Sequence, residues 1–426
     1  MRIKNHLKPI IEAIPERAKF TAHREQTVDF LIRITPPASD TELKRPRLNL
    51  SLVLDRSGSM EGEKIARARE AAAFCVDQLM AEDRVSVVIF DDRVEVIVPS
   101  QPVENKAAIK ERINAVRARN STALHEAWVR GGLEVSSQLT GDAINRVLLI
   151  TDGLANVGET NVDRIVTQAG ELAGRNVTTS TIGIGNNFNE DLLIPMAEAG
   201  RGNAWHVEQA DDMGRIFATE LQGLVTQVGH TVSLGMTPVD GVTVKDVLND
   251  FEVTHTGRYK LPNLLAGSPI EIVVRAKLPA RRAGEQFKAM DLRLAWNPQG
   301  VPSSERDVLH HSIFVEFADA AEADGLAADE RVTKAVQLLM VARARREAIN
   351  DLDRGDVTAA RARVMGVTQA FADACAPMMA DAEVKEQMQM LTDLGAELQH
   401  PQDVKMSRKK LSYQSYNLSR QSKRPK

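Results

Sequence analysis

The sequence predicts an α/β fold with a mostly parallel sheet flanked by helices, joined to a β-sandwich and a C-terminal α-helical module. Three observations carry this reading. From Leu48 to about residue 225, short β-branched runs alternate with longer amphipathic ones, the pattern of βαβ units around a parallel sheet. After IFATELQGLV, residues 216–225, the runs become strand-like throughout, with Gly, Pro and Asn clustered between several of them. From Asp329 to about Leu398, Ala-rich helical runs take over.

Taken in order, the segment TVDFLIRIT alternates so that Val28, Phe30, Ile32 and Ile34 share one face, which predicts a strand of the later β-domain. The α/β domain is then expected as an insertion into a sandwich whose strands come from both sides. Its strands are LNLSLVL, RVSVVIF, VEVIVP, RVLLIT, VTTSTIGIG and NAWHV. In the first intervening helix Ile65, Ala68, Ala72, Cys75, Val76 and Leu79 recur at three- and four-residue spacing, so one face meets the sheet while Arg67, Arg69 and Glu70 look outward. Asp91, Asp92 and Arg93 separate two strand runs so closely that they form a hairpin, adding one antiparallel strand. HTVSLGM, GVTVKDV, SPIEIVVRAKL, FKAMDLRLAW and HHSIFVEF supply the sandwich.

The phrase EAINDLDRGDVTAARARV reads as helix, tight turn and helix, with Asp356 as N-cap of the second. It resembles a single hairpin of the tetratricopeptide sort without a second copy, which favours a packing or oligomerisation role. The end of the chain, KMSRKKLSYQSYNLSRQSKRPK, is basic and has no apolar period. It is expected to be a solvated tail; the alternative is a docking strap anchored by Tyr413 and Tyr416, its basic residues pairing with acids on a partner or on the chain itself. The resulting boundaries are 1–44, 45–222, 223–318, 325–398 and 399–426.

Composition excludes several classes. Fifty-four Lys and Arg against 58 Asp and Glu leave a formal charge of −4, so any basic surface must be local. The two cysteines, Cys75 and Cys375, lie far apart in apolar helical runs, arguing for core thiols in a reducing compartment. MRIKNHLKPIIEAIPER has no sustained apolar stretch, and nowhere do about 18 apolar residues run uninterrupted. A cytoplasmic protein without a membrane span is expected.

Chemistry concentrates at strand ends, where open α/β sheets build their sites. LVLDRSGSM stops an apolar strand at Asp55 and sets Ser57 and Ser59 at alternate positions. Alone, this is equally an acid capping the next helix. RVLLIT, however, finishes at Thr151-Asp152-Gly153, and Asn120-Ser121-Thr122 opens another helix. Asp55, Ser57, Ser59, Thr122 and Asp152 can therefore converge as five oxygen side chains. Without His or Cys, the set suits Mg²⁺, with Mn²⁺ or Ca²⁺ as alternatives.

The order DRSGSM, NSTAL and LLITDG resembles the von Willebrand factor A domain and its metal-ion-dependent adhesion site, over about residues 45–222. The resemblance implies a Rossmann-like domain in which Ser57 and Ser59 ligate directly, Thr122 directly or through water, and Asp55 and Asp152 largely through water. One coordination position then faces solvent. An ion held mainly by neutral hydroxyls stays electron-poor and favours an Asp or Glu carboxylate from a protein partner. The implied function is non-enzymatic protein–protein interaction within an intracellular assembly. The chain departs from the pattern at Asn120, where many relatives carry glycine; Asn tolerates a left-handed backbone. Arg56, between Asp55 and Ser57, either greets an acidic partner or covers the sheet edge.

Other chemistries fit less well. A phosphotransferase with two acids in this loop would need Asp where Ser57 stands. Gly183-Ile184-Gly185 lacks the third glycine of a dinucleotide loop, since Phe188 occupies its place; HEAWV has Val129 where a zinc protease needs histidine. No G-x-S-x-G frames Ser59. Two alternatives stay open: a metal-dependent hydrolase, for which no general base is visible, and a scaffold whose tail, residues 405–426, binds nucleic acid or an anionic surface.

Overall fold

The computed structural model describes residues 8–38, 45–119, 122–140, 143–153, 157–185, 187–299, 306–399 and 404–420. These fall into two compact units, one within 1–39, 228–298 and 305–424, the other essentially within 40–227.

The chain opens in the first unit with β1 (Ile10–Pro15), β2 (Phe20–Thr21) and β3 (Gln26–Thr35). It then builds the second unit. There β4 (Arg47–Asp55) leads through α1 (Glu63–Gln78) to β5 (Arg84–Phe90), which turns back as β6 (Val94–Pro102). Next come α2 (Lys106–Asn114), α3 (Leu124–Ser136), β7 (Ala143–Thr151), α4 (Val162–Gly174) and β8 (Thr178–Ile184). The unit ends with α5 (Glu190–Ala199), β9 (Arg201–Val207) and α6 (Met213–Val225). The strand order is β6-β5-β4-β7-β8-β9, antiparallel only between β5 and β6. That is the expected α/β sheet with its hairpin, whose tight turn forms as the Arg93 amide donates to Asp91 Oδ1 at 2.8 Å.

β4 is central and buried from Leu48 through Asp55, because both its faces are covered. On one face Leu48, Leu50, Leu52 and Leu54 join Ile65, Ala68, Ala72 and Cys75 of α1 and Phe217 and Leu221 of α6. On the other, α3 comes so near that a Cβ on Gly131 would lie 2.5 Å from Val53 Cγ2, a closeness only glycine permits. The chain leaves β4 towards β5 on one side and reaches β7 on the other. The carboxyl ends of β4 and β7 thus form the switch-point crevice of the sheet.

Returning to the first unit, the chain forms β10 (Gln227–Pro238), β11 (Thr243–Val247), β12 (Tyr259–Lys260) and β13 (Leu264–Leu265). β14 (Ile270–Leu278), β15 (Gln286–Pro298) and β16 (Asp307–Ala318) follow. One sheet runs β1-β3-β14-β11 and the other β12-β10-β15-β16-β2, with β13 beside β10. Phe30, Ile32, Ile34, Ile272 and Val274 of the first meet Leu234, Leu292, Leu294, Ile313 and Val315 of the second. The alternation in TVDFLIRIT fixes this register, and the odd residue Leu31 turns to the outer face.

After the short α7 (Ala320–Ala323), α8 (Glu330–Asp353) covers that outer face through Val332, Ala335 and Leu339. α9 (Val357–Ala374), α10 (Ala382–Glu397) and α11 (Val404–Arg420) complete the unit. Asp356 caps α9, accepting from the Ala359 amide at 2.8 Å.

The expected solvated tail needs correction: residues 404–420 are helical and largely buried on one side. Ser407, Leu411, Ser415 and Ser419, spaced by four, are 4%, 0%, 2% and 5% exposed, and Tyr413 and Tyr416 are buried as well. Ser415 Oγ donates to the Ala342 carbonyl of α8 at 2.9 Å. Arg408 pairs with Asp353 at 2.6 Å and Lys410 with Glu397 at 2.9 Å, so these cations are engaged by the chain's own acids. Residues 421–426 lie outside the described residues. Cys75 and Cys375 are both buried free thiols, and burial pushes Cys75 up to about 12. Among the described residues no helix is long and apolar enough to cross a membrane.

Candidate metal centre

At the end of β4, Asp55 is fully buried and held at both oxygens. The Ser57 amide donates to its Oδ1 at 2.7 Å, and the Thr151 hydroxyl, at the end of β7, donates to its Oδ2 at 2.5 Å. The loop then makes a single turn, Gly58–Met60, whose Met60 is 0% exposed and anchors it in the core beneath. This turn sets Ser57 Oγ 3.1 Å from Ser59 Oγ, and the Ser59 hydroxyl donates to Asp152 Oδ1 at 2.6 Å. Asp55, Ser57, Ser59 and Asp152 thus form one linked group across the crevice between β4 and β7.

Thr122 reaches the same place from the start of α3, where the Ala123 amide donates to the Asp91 carbonyl at 2.7 Å. A Cβ on Gly153 would lie 3.3 Å from Thr122 Oγ1 and 3.6 Å from Asp55 Oδ2. The missing side chain of Gly153 therefore leaves space bordered by a hydroxyl and a carboxylate. Asn120 and Ser121 fall outside the described residues.

Burial pushes Asp55 up to about 6, opposed by the hydrogen bonds from Thr151 and Ser57 and reinforced by the charge of Asp152. Two buried acids beside three hydroxyls are an electron-rich pocket that a cation would stabilise. No cluster of three or more His, Cys, Asp or Glu able to hold a metal ion occurs among the described residues, so an ion here would depend on the hydroxyls as ligands. The donor set is all hard oxygen and fits a divalent cation of the Mg²⁺ or Ca²⁺ kind.

Arg56 does not point outward to greet a partner. It is 7% exposed, with Nε 3.1 Å from Asp91 Oδ2 and Nη1 3.4 Å from Glu95. Arg119 also binds Asp91, at 2.7 Å, and its amide donates to the Arg56 carbonyl at 2.7 Å. Burial acts to raise the Asp91 carboxyl, but the Arg93 amide, Arg119 and Arg56 outweigh it and hold the group below its ordinary value. This pairing braces the loop before α3 against the loop after β4.

Two residues of the site escaped the sequence reading. Thr151 was visible only as the end of a strand, yet it orients Asp55. Lys64, in the first turn of α1, donates to Asp152 Oδ2 at 2.5 Å. The residues behind other chemistries have structural roles. His125 Nε2 lies 2.6 Å from Gln168 Oε1 on neighbouring α4, and a Cβ on Gly183 would sit 2.5 Å from the Phe188 ring.

Comparison with known proteins bears on the fold that carries these residues. The family model for the von Willebrand factor type A domain matches residues 49–219. An uncharacterized protein of Synechocystis sp., sll0103, is 31% identical over 200 residues, 47% of this chain and 46% of that protein. Inter-alpha-trypsin inhibitor heavy chain H3 of Rattus norvegicus is 26% identical over 254 residues, 57% of this chain and 26% of that one. The chain thus spans less than half the length of these curated relatives. The structure of a von Willebrand factor type A protein from Catenulispora acidiphila superposes with a TM-score of 0.68 at 17% identity, covering 97% of this chain and 98% of that one. The ArnB paralog VWA2 from Sulfolobus acidocaldarius gives 0.61 at 16% identity, covering 98% and 100%. At such identities the two superpositions establish the fold alone. With the strand order, the helices on both faces and the family match in agreement, residues 49–219 of this chain are a von Willebrand factor type A domain.

Proposed function

We propose that the crevice between β4 and β7 binds a divalent cation, Mg²⁺ in the cell, and through it captures an Asp or Glu carboxylate of a protein partner. Ser57, Ser59 and Thr122 would supply hydroxyl ligands, with Asp55 and Asp152 behind them. When bound, the ion would supply Lewis acidity towards an incoming carboxylate oxygen. The chain's own residues do the rest: Thr151 and the Ser57 amide fix Asp55, Met60 anchors the serine loop, and the Arg56–Asp91–Arg119 contacts brace the approach to α3. The observation that carries this reading is the convergence of three hydroxyls and two fully buried acids at one sheet edge.

Binding rather than turnover is proposed because both acids of the site already serve as hydrogen-bond acceptors for the serine loop and Thr151, leaving neither as an evident base. Nucleic-acid binding through the C-terminal segment gains no support from Arg408 and Lys410, which pair within the chain.

The test is capture from native lysate by the wild-type chain, Asp55→Ala and the double variant Ser57→Ala/Ser59→Ala, each with Mg²⁺ or EDTA, with fold checked by circular dichroism. Proteins retained by wild type should be lost with EDTA and in both variants. Capture unchanged by chelator and by Asp55→Ala would sink the proposal.

A further inference from the structure

Lys64 reaches back from the first turn of α1 into the serine loop. Its Nζ lies 2.5 Å from Asp152 Oδ2 and 3.3 Å from the Ser59 carbonyl, while Asp152 Oδ1 accepts from the Ser59 hydroxyl at 2.6 Å. Both oxygens of the fully buried Asp152 are therefore engaged, one by a neutral donor and one by a cation. The lysine stem runs beside the end of β8, its Cε 3.6 Å from where a Cβ on Gly185 would sit. The side chain is 30% exposed, so its four-carbon stem has solvent to swing into.

We propose that Lys64 is a built-in competitor of the divalent cation at Asp152, holding this carboxylate in the ion-free site and setting how tightly the site loads. The proposal rests on the metal-binding reading above and adds to it a residue that controls affinity. The physical reason is charge. A cation drawing on Asp152 must displace the ammonium or share the carboxylate with a like charge a few ångströms away. With the ammonium retained, the loaded site keeps more positive charge than its two acids alone would leave, which also favours an anionic partner.

The test is Mn²⁺ titration of the full chain, read by electron paramagnetic resonance of the free ion, with melting curves to check folding. Lys64→Met should bind Mn²⁺ about tenfold tighter or more, as expected from removing one like charge at short range. Lys64→Arg, which keeps the charge, should stay near wild type. Lys64→Gln serves as a second neutral variant should Lys64→Met fail to fold. If the neutral variants bind Mn²⁺ no tighter than wild type, or if Lys64→Arg tightens as much as they do, the competitor role is overturned while the metal site stands. If wild type and Ser57→Ala/Ser59→Ala bind Mn²⁺ alike, the metal site itself falls, and this inference with it.

Discussion

At Asp55, folding and cation binding pull in opposite directions. Burial raises this carboxyl to about 6, so the fold favours its protonated form. An unfolded aspartate titrates near 3.9. Below about pH 4 the group is neutral in both states and costs nothing. Between about pH 4 and 6 the unfolded chain ionises while the folded group is held protonated by burial, so the cost grows across this window to roughly 3 kcal/mol and stays there above it. In chelator, Asp55→Asn should therefore be more stable than wild type at pH 7.5, with the difference closing as pH falls towards 4. Calorimetric melts of both proteins across that range check this; a gap independent of pH would refute it. A divalent cation should reverse the ranking at pH 7.5, because only the carboxylate gains from it.

The same residue shows how far a site can be read before folding. Asp55, Ser57 and Ser59 stand at alternate positions of one short loop, where they are visible as a group but read equally as a helix cap. Thr122 and Asp152 join them only once the alternation of runs places β4 beside β7. Lys64 stayed hidden because a helix pattern says which side is polar, but not that a long stem reaches back to a residue five positions earlier. Arg56 was ambiguous for a related reason: its partner Asp91 belongs to the neighbouring strand's hairpin, and the choice between greeting a ligand and covering the edge required that pairing.

At the scale of elements, legibility follows the kind of residue that fills a buried face. β4, covered on both sides, reads as a strand buried from Leu48 to Asp55, and β3 as an alternation interrupted at Leu31. α11 defeated the same method because three of the four residues spaced along its buried stripe are serines, whose small size lets the helix lie close against α8. Leu411 is the one large aliphatic in that stripe, fully buried among Leu352, Ala360, Val364, Leu394 and Leu398. Leu411→Ala should cost roughly 2–5 kcal/mol, as expected for a buried leucine whose cavity cannot collapse fully. Urea unfolding followed by far-ultraviolet circular dichroism reads this as an earlier midpoint for the helical transition. An unchanged midpoint would mean that α11 contributes little to the stability of its unit.

At the scale of the whole molecule, the main hydrophobic clusters of the α/β unit and of the sandwich share no residue among those described. One is built from residues between Leu48 and Leu224, the other from residues up to Ile34 and from Val232 onward. Each unit can thus bury its own apolar surface, the condition for folding alone, and every proposed ligand lies in the first of these cores' span. A fragment of residues 45–227 should accordingly melt cooperatively and bind Mn²⁺ within about threefold of the full chain, the agreement expected when the removed parts make no contribution to the site. The full chain should unfold in more than one step, so that a single stability value does not describe it. Mn²⁺ should raise the transition that the isolated fragment reproduces and leave the other in place, since a ligand stabilises only the folded state that binds it. Calorimetry of fragment and full chain with and without the ion decides the matter. A fragment that fails to fold, or an ion that shifts both transitions together, would show that the α/β unit depends on the sandwich and helices for its stability.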